Sequence, residues 1–173
     1  MIAAEFSRPR RLDQIGQGEA EVTVTAEPAE RAALAERFGL LAIDSLEARY
    51  TLHSDTGGIR ATGHLSAQVT QACVASYEPV PATIEEDFNI RFLPELEESA
   101  DEFELSEDEC DTVFYSRSAI DLGEAAAETL ALALDPFPRS PTAVEALKAA
   151  GVLGEGEVGP FSGLAALRDK LSN

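Results

Sequence analysis

Apolar and polar residues alternate along four stretches of this chain, and the spacing changes to a helical one between and after them. From Ala20 to Ala26, Ala20, Val22, Val24 and Ala26 alternate with Glu21, Thr23 and Thr25, the period of a half-buried strand. Leu46, Ala48, Tyr50 and Leu52 alternate with Glu47, Arg49, Thr51 and His53, and a turn-forming Ser54-Asp55-Thr56-Gly57-Gly58 follows. Ile59 to Cys73 then repeats the alternation, with Ile59, Ala61, Gly63, Leu65, Ala67, Val69, Gln71 and Cys73 on one side. Two such runs joined by such a turn predict a hairpin. After a break at Glu78-Pro79-Val80-Pro81, Ala82, Ile84, Phe88, Ile90 and Phe92 outline a third long strand, so the centre of the chain reads as an antiparallel meander. Thr112 to Tyr115 reads as a short strand that returns to the sheet.

Helical spacing follows Glu27-Pro28, where Ala32, Leu34 and Phe38 form an apolar side and Gly39 is placed as the stop. A second helix begins at Asp121, which with Glu124 has the spacing of a variant capping box. Leu122, Ala125, Ala126, Thr129, Leu130 and Leu134 form its stripe, and Asp135-Pro136-Phe137-Pro138 ends it. Thr142 to Ala150 predicts a weak helix, followed by a Gly-rich linker and a helix near Gly163 to Leu171. In that last segment, Phe161, Leu164, Leu167 and Leu171 suit either a docking segment or a terminal helix folded back on its own domain. The predicted fold is α+β: one domain with an antiparallel meander, either open or curled toward a partly closed barrel, with two packed helices.

Two segments carry a resemblance. Gln71 to Val80 reads QACVASYEPV, and Ile120 to Arg139 opens IDLGE and closes LALALDPFPR. With the acidic stretch between them and the tail GPFSGLAALRDKL, Gly159 to Leu171, the chain resembles the YceD family of bacterial and plastid proteins, and its alphaproteobacterial-type members in particular. The resemblance runs from about Phe6 through Arg139 and touches the tail again, so residues 1–139 are expected as one domain; composition and periodicity place an acidic loop within it at about 95–111 and leave 140–173 as a loosely attached tail. The resemblance implies a non-enzymatic ribosome-biogenesis factor that supports synthesis, processing or stability of large-subunit ribosomal RNA. Many family members carry a C-x-x-C pair where this chain has Cys73 and Ser76, followed by Glu78 and Pro79. The pair is degenerate here, so any property that depends on it does not transfer.

Charge changes the picture most. The chain has 32 acidic residues against 13 basic ones, a formal net charge of -19, whereas neutralising phosphates requires Lys and Arg on a surface. A protein this anionic is expected to meet a basic protein sooner than bare RNA, and the resemblance implies that this partner is a basic ribosomal protein or rRNA-processing factor, with rRNA contact weak or indirect. Glu85 to Asp111 holds 13 acidic residues and one basic residue, Arg91, and its part from Glu95 to Glu109 reads as a mobile loop. That loop serves either as an electrostatic lure for a basic partner or as a solubility device. The first eleven residues form the only local basic excess: Arg8, Arg10 and Arg11 against Glu5. These arginines are the candidate RNA contact. No apolar run reaches the roughly 20 residues that cross a bilayer, and the first residues lack a signal peptide's apolar centre, so a cytoplasmic location is expected.

Candidate chemistry is sparse. G-x-S-x-G, a P-loop and G-x-G-x-x-G are all missing, so the sequence gives no support for acyl transfer, phosphate-loop NTPase activity or dinucleotide binding. Cys73 and Cys110 are too far apart in sequence for a C-x-x-C motif and too few to suggest a disulfide framework, and a zinc site needs about four soft or imidazole ligands. Cys73 is therefore expected as a small buried residue at a strand end, with no cofactor and no metal. His53 and His64 both fall on polar strand faces, either near each other across the hairpin or simply solvated. Asp121, Glu124, Pro136, Phe137 and Arg139 are the candidate partner-binding residues. Two other readings remain in play: a generic acidic interaction or chaperone-like module without rRNA dependence, and, ranked last, a metal-dependent hydrolase.

Overall fold

A computed structural model of the protein describes residues 5–15, 19–55, 58–95, 111–115 and 119–152. The expected loop from Glu95 to Glu109, apart from Glu95 itself, and the expected helix near Gly163 to Leu171 lie outside the described residues. The chain divides into two compact units, one of Met1–Gln71 with Pro81–Asp135 and one of Ala72–Val80 with Pro136–Asn173.

The first unit is built on an open five-stranded sheet with strand order β2-β3-β4-β5-β6. Its strands are β2 (Ala20–Thr25), β3 (Ala42–Asp55), β4 (Gly58–Ala72), β5 (Pro79–Pro94) and β6 (Asp111–Tyr115). The predicted hairpin is present, with β3 and β4 paired antiparallel from Ala42↔Thr70 to Asp55↔Gly58. β2 and β6 are the edges among the described residues, so the sheet does not close into a barrel. β6 also departs from the meander: it runs parallel to β5, from Ile90↔Asp111 to Pro94↔Tyr115. A second, two-stranded sheet joins β1 (Pro9–Arg11) to β7 (Ala119–Asp121) in antiparallel register.

Alternation places Leu46, Ala48, Tyr50 and Leu52 of β3 in the core with Ile59, Ala61, Leu65, Ala67 and Val69 of β4 and Phe88, Ile90 and Phe92 of β5. Ile43 is buried as well, although its parity is opposite to that of Leu46. A bulge at Asp44, between the pairs Ile43↔Val69 and Ser45↔Gln68, reconciles them, because one extra residue turns the following side chains to the other face. Gly63 pairs with Tyr50, whose ring meets Phe88 at a centroid distance of 4.8 Å and an interplanar angle of 51°. A Cβ on Gly63 would stand 2.6 Å from the Phe88 ring and 2.0 Å from the Arg49 carbonyl oxygen. The two aromatic rings meet because this position has no side chain.

Helix α1 (Pro28–Phe38) starts with proline in its first turn and a hydrogen bond from the Glu27 N–H to Glu30 Oε2 at 2.7 Å. It ends at Gly39, which takes the left-handed conformation at φ 65° that a Cβ disfavours. Helix α2 (Leu122–Ala133) is capped by Asp121, whose Oδ1 accepts from the N–H groups of Gly123 at 3.0 Å and Glu124 at 3.2 Å. The reciprocal arm of the predicted capping box is diverted: the Glu124 carboxylate pairs with Arg37 at 2.7 Å. α2 buries Leu122, Ala125, Ala126, Ala127 and Leu130, and the buried Tyr50 hydroxyl donates to the Leu122 carbonyl at 2.7 Å. In the second unit, α3 (Ala143–Ala149) lies where the weak helix was predicted.

Candidate functional site

The second unit brings Ala72 to Val80, from the first segment of the sequence resemblance, together with Pro136 to Arg139, the end of the second, and the residues that follow it. Residues 73–78 form a tight turn in which Cys73 donates its N–H to the Glu78 carbonyl at 2.8 Å and Tyr77 donates back to the Cys73 carbonyl at 2.9 Å. Closing the turn puts Tyr77 at φ 61°, an uncommon conformation for an aromatic residue, and leaves its side chain 81% exposed. Across from it, the Val74 N–H donates to the Pro138 carbonyl at 2.9 Å. Ser76 Oγ and Ser140 Oγ are 3.0 Å apart, Ser140 Oγ and Thr142 Oγ1 are 3.0 Å apart, and Glu78 accepts from both Ser76 and Thr142. Hydroxyls of Thr142, Ser140 and Ser76 therefore hold the Glu78 carboxyl below its ordinary range.

Cys73 is fully buried at the centre of this turn. Its sulfur lies 3.4 Å from the backbone nitrogens of both Ala75 and Ser76. Burial, the largest single influence, pushes the thiol pKa up. The Ser140 N–H, the side chains of Ser76 and Ser140 and the Ala75 N–H together outweigh it and bring the pKa down to about 6, because donors aimed at sulfur favour its anionic form. Where the pair would have its second cysteine, Ser76 supplies a hydroxyl that bonds Glu78 and Ser140. Pro79 opens β5. Among the described residues no three His, Cys, Asp or Glu side chains are grouped to hold a metal ion.

The remaining candidate residues divide between the units. In the first unit, Asp121 is spent internally: besides capping α2 it accepts from the Arg8 N–H at 2.7 Å and from the Ser7 hydroxyl. Glu124 shares Arg37 with Glu5. In the second unit, Pro136, Phe137 and Arg139 are exposed, Phe137 to 70%.

Arg8 is engaged. Its guanidinium makes two hydrogen bonds to Glu30, at 2.7 and 2.8 Å, donates to the Thr25 carbonyl at 3.1 Å and lies 4.8 Å from the Phe6 ring centroid. Arg11 pairs with Asp13 on the surface at 2.9 Å. Arg10 is exposed and has no ion-pair partner among the described residues. Sequence reasoning missed β1, the three-residue strand that carries Arg10 and Arg11, because three residues are too short for periodicity to register.

The histidines do not face each other. The register pairs His53 with Arg60 and His64 with Arg49. His64 instead sits between Asp87 and Glu85, each 2.7 Å from one ring nitrogen. Hydrogen bonds to Asp87 and then Glu85 raise its pKa above the ordinary 6.5. Sequence could have found this cluster from the shared polar face of adjacent strands, once the β4–β5 register was known.

No helix among the described residues is long and apolar enough to cross a membrane. Searches of curated proteins and of solved structures each gave no significant match. The family profile described as "Large ribosomal RNA subunit accumulation protein YceD" matches residues 61–168. That span contains the Cys73 turn and the Pro138 to Thr142 stretch bonded to it, and the chain belongs to the YceD family.

Proposed function

We propose that this protein supports the accumulation of large-subunit ribosomal RNA without catalysing a reaction, by binding a basic ribosomal protein or rRNA-processing factor in the cytoplasm. Family membership is the observation that carries the reading. The charge balance of 32 acidic to 13 basic residues favours a protein partner over bare RNA. Arg8 and Arg11, two of the three arginines suited to phosphate, are already matched by Glu30 and Asp13. Any rRNA contact is therefore secondary and centred on Arg10. In the second unit, the exposed Pro136, Phe137 and Arg139 suit a partner surface, while Cys73, Ser76 and Glu78 serve the turn that supports them. Asp121 and Glu124 act through the architecture of α2.

The test uses the immobilised full-length protein, challenged separately with total large-subunit proteins and with naked large-subunit rRNA over a range of salt. The proposal predicts that a basic protein is retained at low salt and released as salt rises, and that rRNA alone passes through. Retention of naked rRNA with no protein retained would reverse the assignment of the partner.

A further inference from the structure

Tyr77 occupies a position where a side chain is costly, and its ring does little for the fold. Its φ of 61° lies in the left-handed region, where Cβ crowds the backbone and glycine or asparagine is the ordinary occupant. The turn holds the residue there from both sides: the Tyr77 N–H donates to the Cys73 carbonyl at 2.9 Å, and the Cys73 N–H donates to the Glu78 carbonyl at 2.8 Å. Glycine would make the same backbone bonds without the crowding. The position instead carries a phenol ring that is 81% exposed, so burial does not offset the strain. Backbone strain that the surrounding structure enforces and burial does not repay is a mark of a functional position.

Charge decides what the ring would take. Two other rings of this chain carry one of its own guanidinium groups, with Arg8 4.8 Å from the Phe6 centroid and Arg37 5.3 Å from the Phe38 centroid. Among the described residues no cation covers Tyr77. The next residue, Glu78, is exposed, and the hydroxyls of Thr142, Ser140 and Ser76 favour its ionised form. An open ring face followed by a fixed carboxylate attracts a cation and repels the phosphate of a nucleotide whose base might otherwise stack there. Guanidinium suits the pair better than ammonium, because it lies flat on an aromatic face and still offers donors to a carboxylate.

We propose that the Cys73–Glu78 turn holds the Tyr77 ring out as a contact for an arginine side chain of the basic partner protein. This rests on the partner reading above and names a residue that meets the partner. The probe is an octa-arginine peptide, with the neutral octa-citrulline peptide as control, titrated into the full-length protein and followed by NMR at the Tyr77 ring protons. The expected result is a saturable shift of those protons by octa-arginine alone. Affinity should fall about two- to fivefold in Tyr77→Gly, as the loss of an exposed cation–π contact implies, and hold in Tyr77→Phe, which keeps the ring face. Tyr77→Gly should also unfold at a urea concentration no lower than wild type, because glycine removes the crowding. Three results would overturn the proposal: Tyr77 protons that octa-arginine leaves unmoved, a Tyr77→Gly variant that binds the peptide as tightly as wild type, or one that is clearly less stable. Shifts of the same protons by a single-stranded oligoadenylate in place of octa-arginine would overturn it in favour of a stacked base.

Cells depleted of the protein separate this proposal from the functional reading. Failure of the wild-type protein to restore large-subunit rRNA counts against the functional reading and leaves the peptide titration to judge Tyr77. If wild type and Tyr77→Gly restore it equally, the role of Tyr77 with the partner is overturned and the functional reading stands.

Discussion

The Tyr50 hydroxyl donates to the Leu122 carbonyl at 2.7 Å inside the core, tying the central strand β3 to the first residue of α2. The phenol is almost completely buried, and desolvation, followed by the charge of Asp121, holds its pKa well above 10. Tyr50→Phe keeps the ring against Phe88 and removes only the donor. It should lower stability by about 0.5–1.5 kcal/mol, measured as a fall in the urea midpoint with an unchanged slope.

Gly63 should tolerate no side chain. An added Cβ meets the Arg49 carbonyl and the Phe88 ring well inside contact distance, so Gly63→Ala has to move backbone or ring. The expected cost is on the order of 1–3 kcal/mol, as for other overpacked sites, seen as a lower thermal midpoint.

Asp121 joins the N-terminal segment to the helix start through Ser7, the Arg8 N–H and the two α2 backbone donors. Asp121→Ala should cost about 1–2 kcal/mol, the upper range for a lost N-cap. It should also speed tryptic cleavage at Arg10 or Arg11 relative to wild type, because the β1–β7 pairing loses its anchor.

Cys73 gives a pH signature. Its folded thiol pKa is lowered from 9.0 to about 6, so its contribution to stability is fully present above the unfolded value and is lost as pH falls through about 6. Far-ultraviolet thiolate absorbance, taken as the difference between wild type and Cys73→Ala to subtract Cys110, should titrate near pH 6. A difference titrating near pH 9 would show that the donors around the sulfur do not act as described.

His64 has the opposite sign. Asp87 and Glu85 raise its pKa, so the folded state gains from the protonated ring below the unfolded value, and the gain disappears as pH rises through the folded value. Its NMR midpoint should lie above 6.5 and move down in Glu85→Gln. Salt should narrow the difference, since the cluster is exposed.

Much of this architecture was legible in the sequence because burial and local chemistry agree. The alternation from Leu46 to Leu52 and from Ile59 to Val69 became the hairpin, and Glu27-Pro28 and Gly39 bounded α1. Features set by long-range geometry were not legible. The Asp44 bulge hides Ile43 from a strict two-residue period. The parallel direction of β6 depends on how the chain returns from Pro94. The joining of the Cys73 turn to Ser140 and Thr142 links residues 64 positions apart, and no local pattern in either stretch signals it. Arg8 looked available for phosphate because nothing in the sequence says that Glu30, a full strand and helix start away, takes its guanidinium.

The central claim is tested most directly by the ratio of large-subunit to small-subunit rRNA in cells depleted of this protein, with wild-type and add-back controls. The account predicts a selective fall in the large-subunit species that the wild-type protein restores. An unchanged ratio under full depletion would contradict it and leave an acidic interaction module without rRNA dependence.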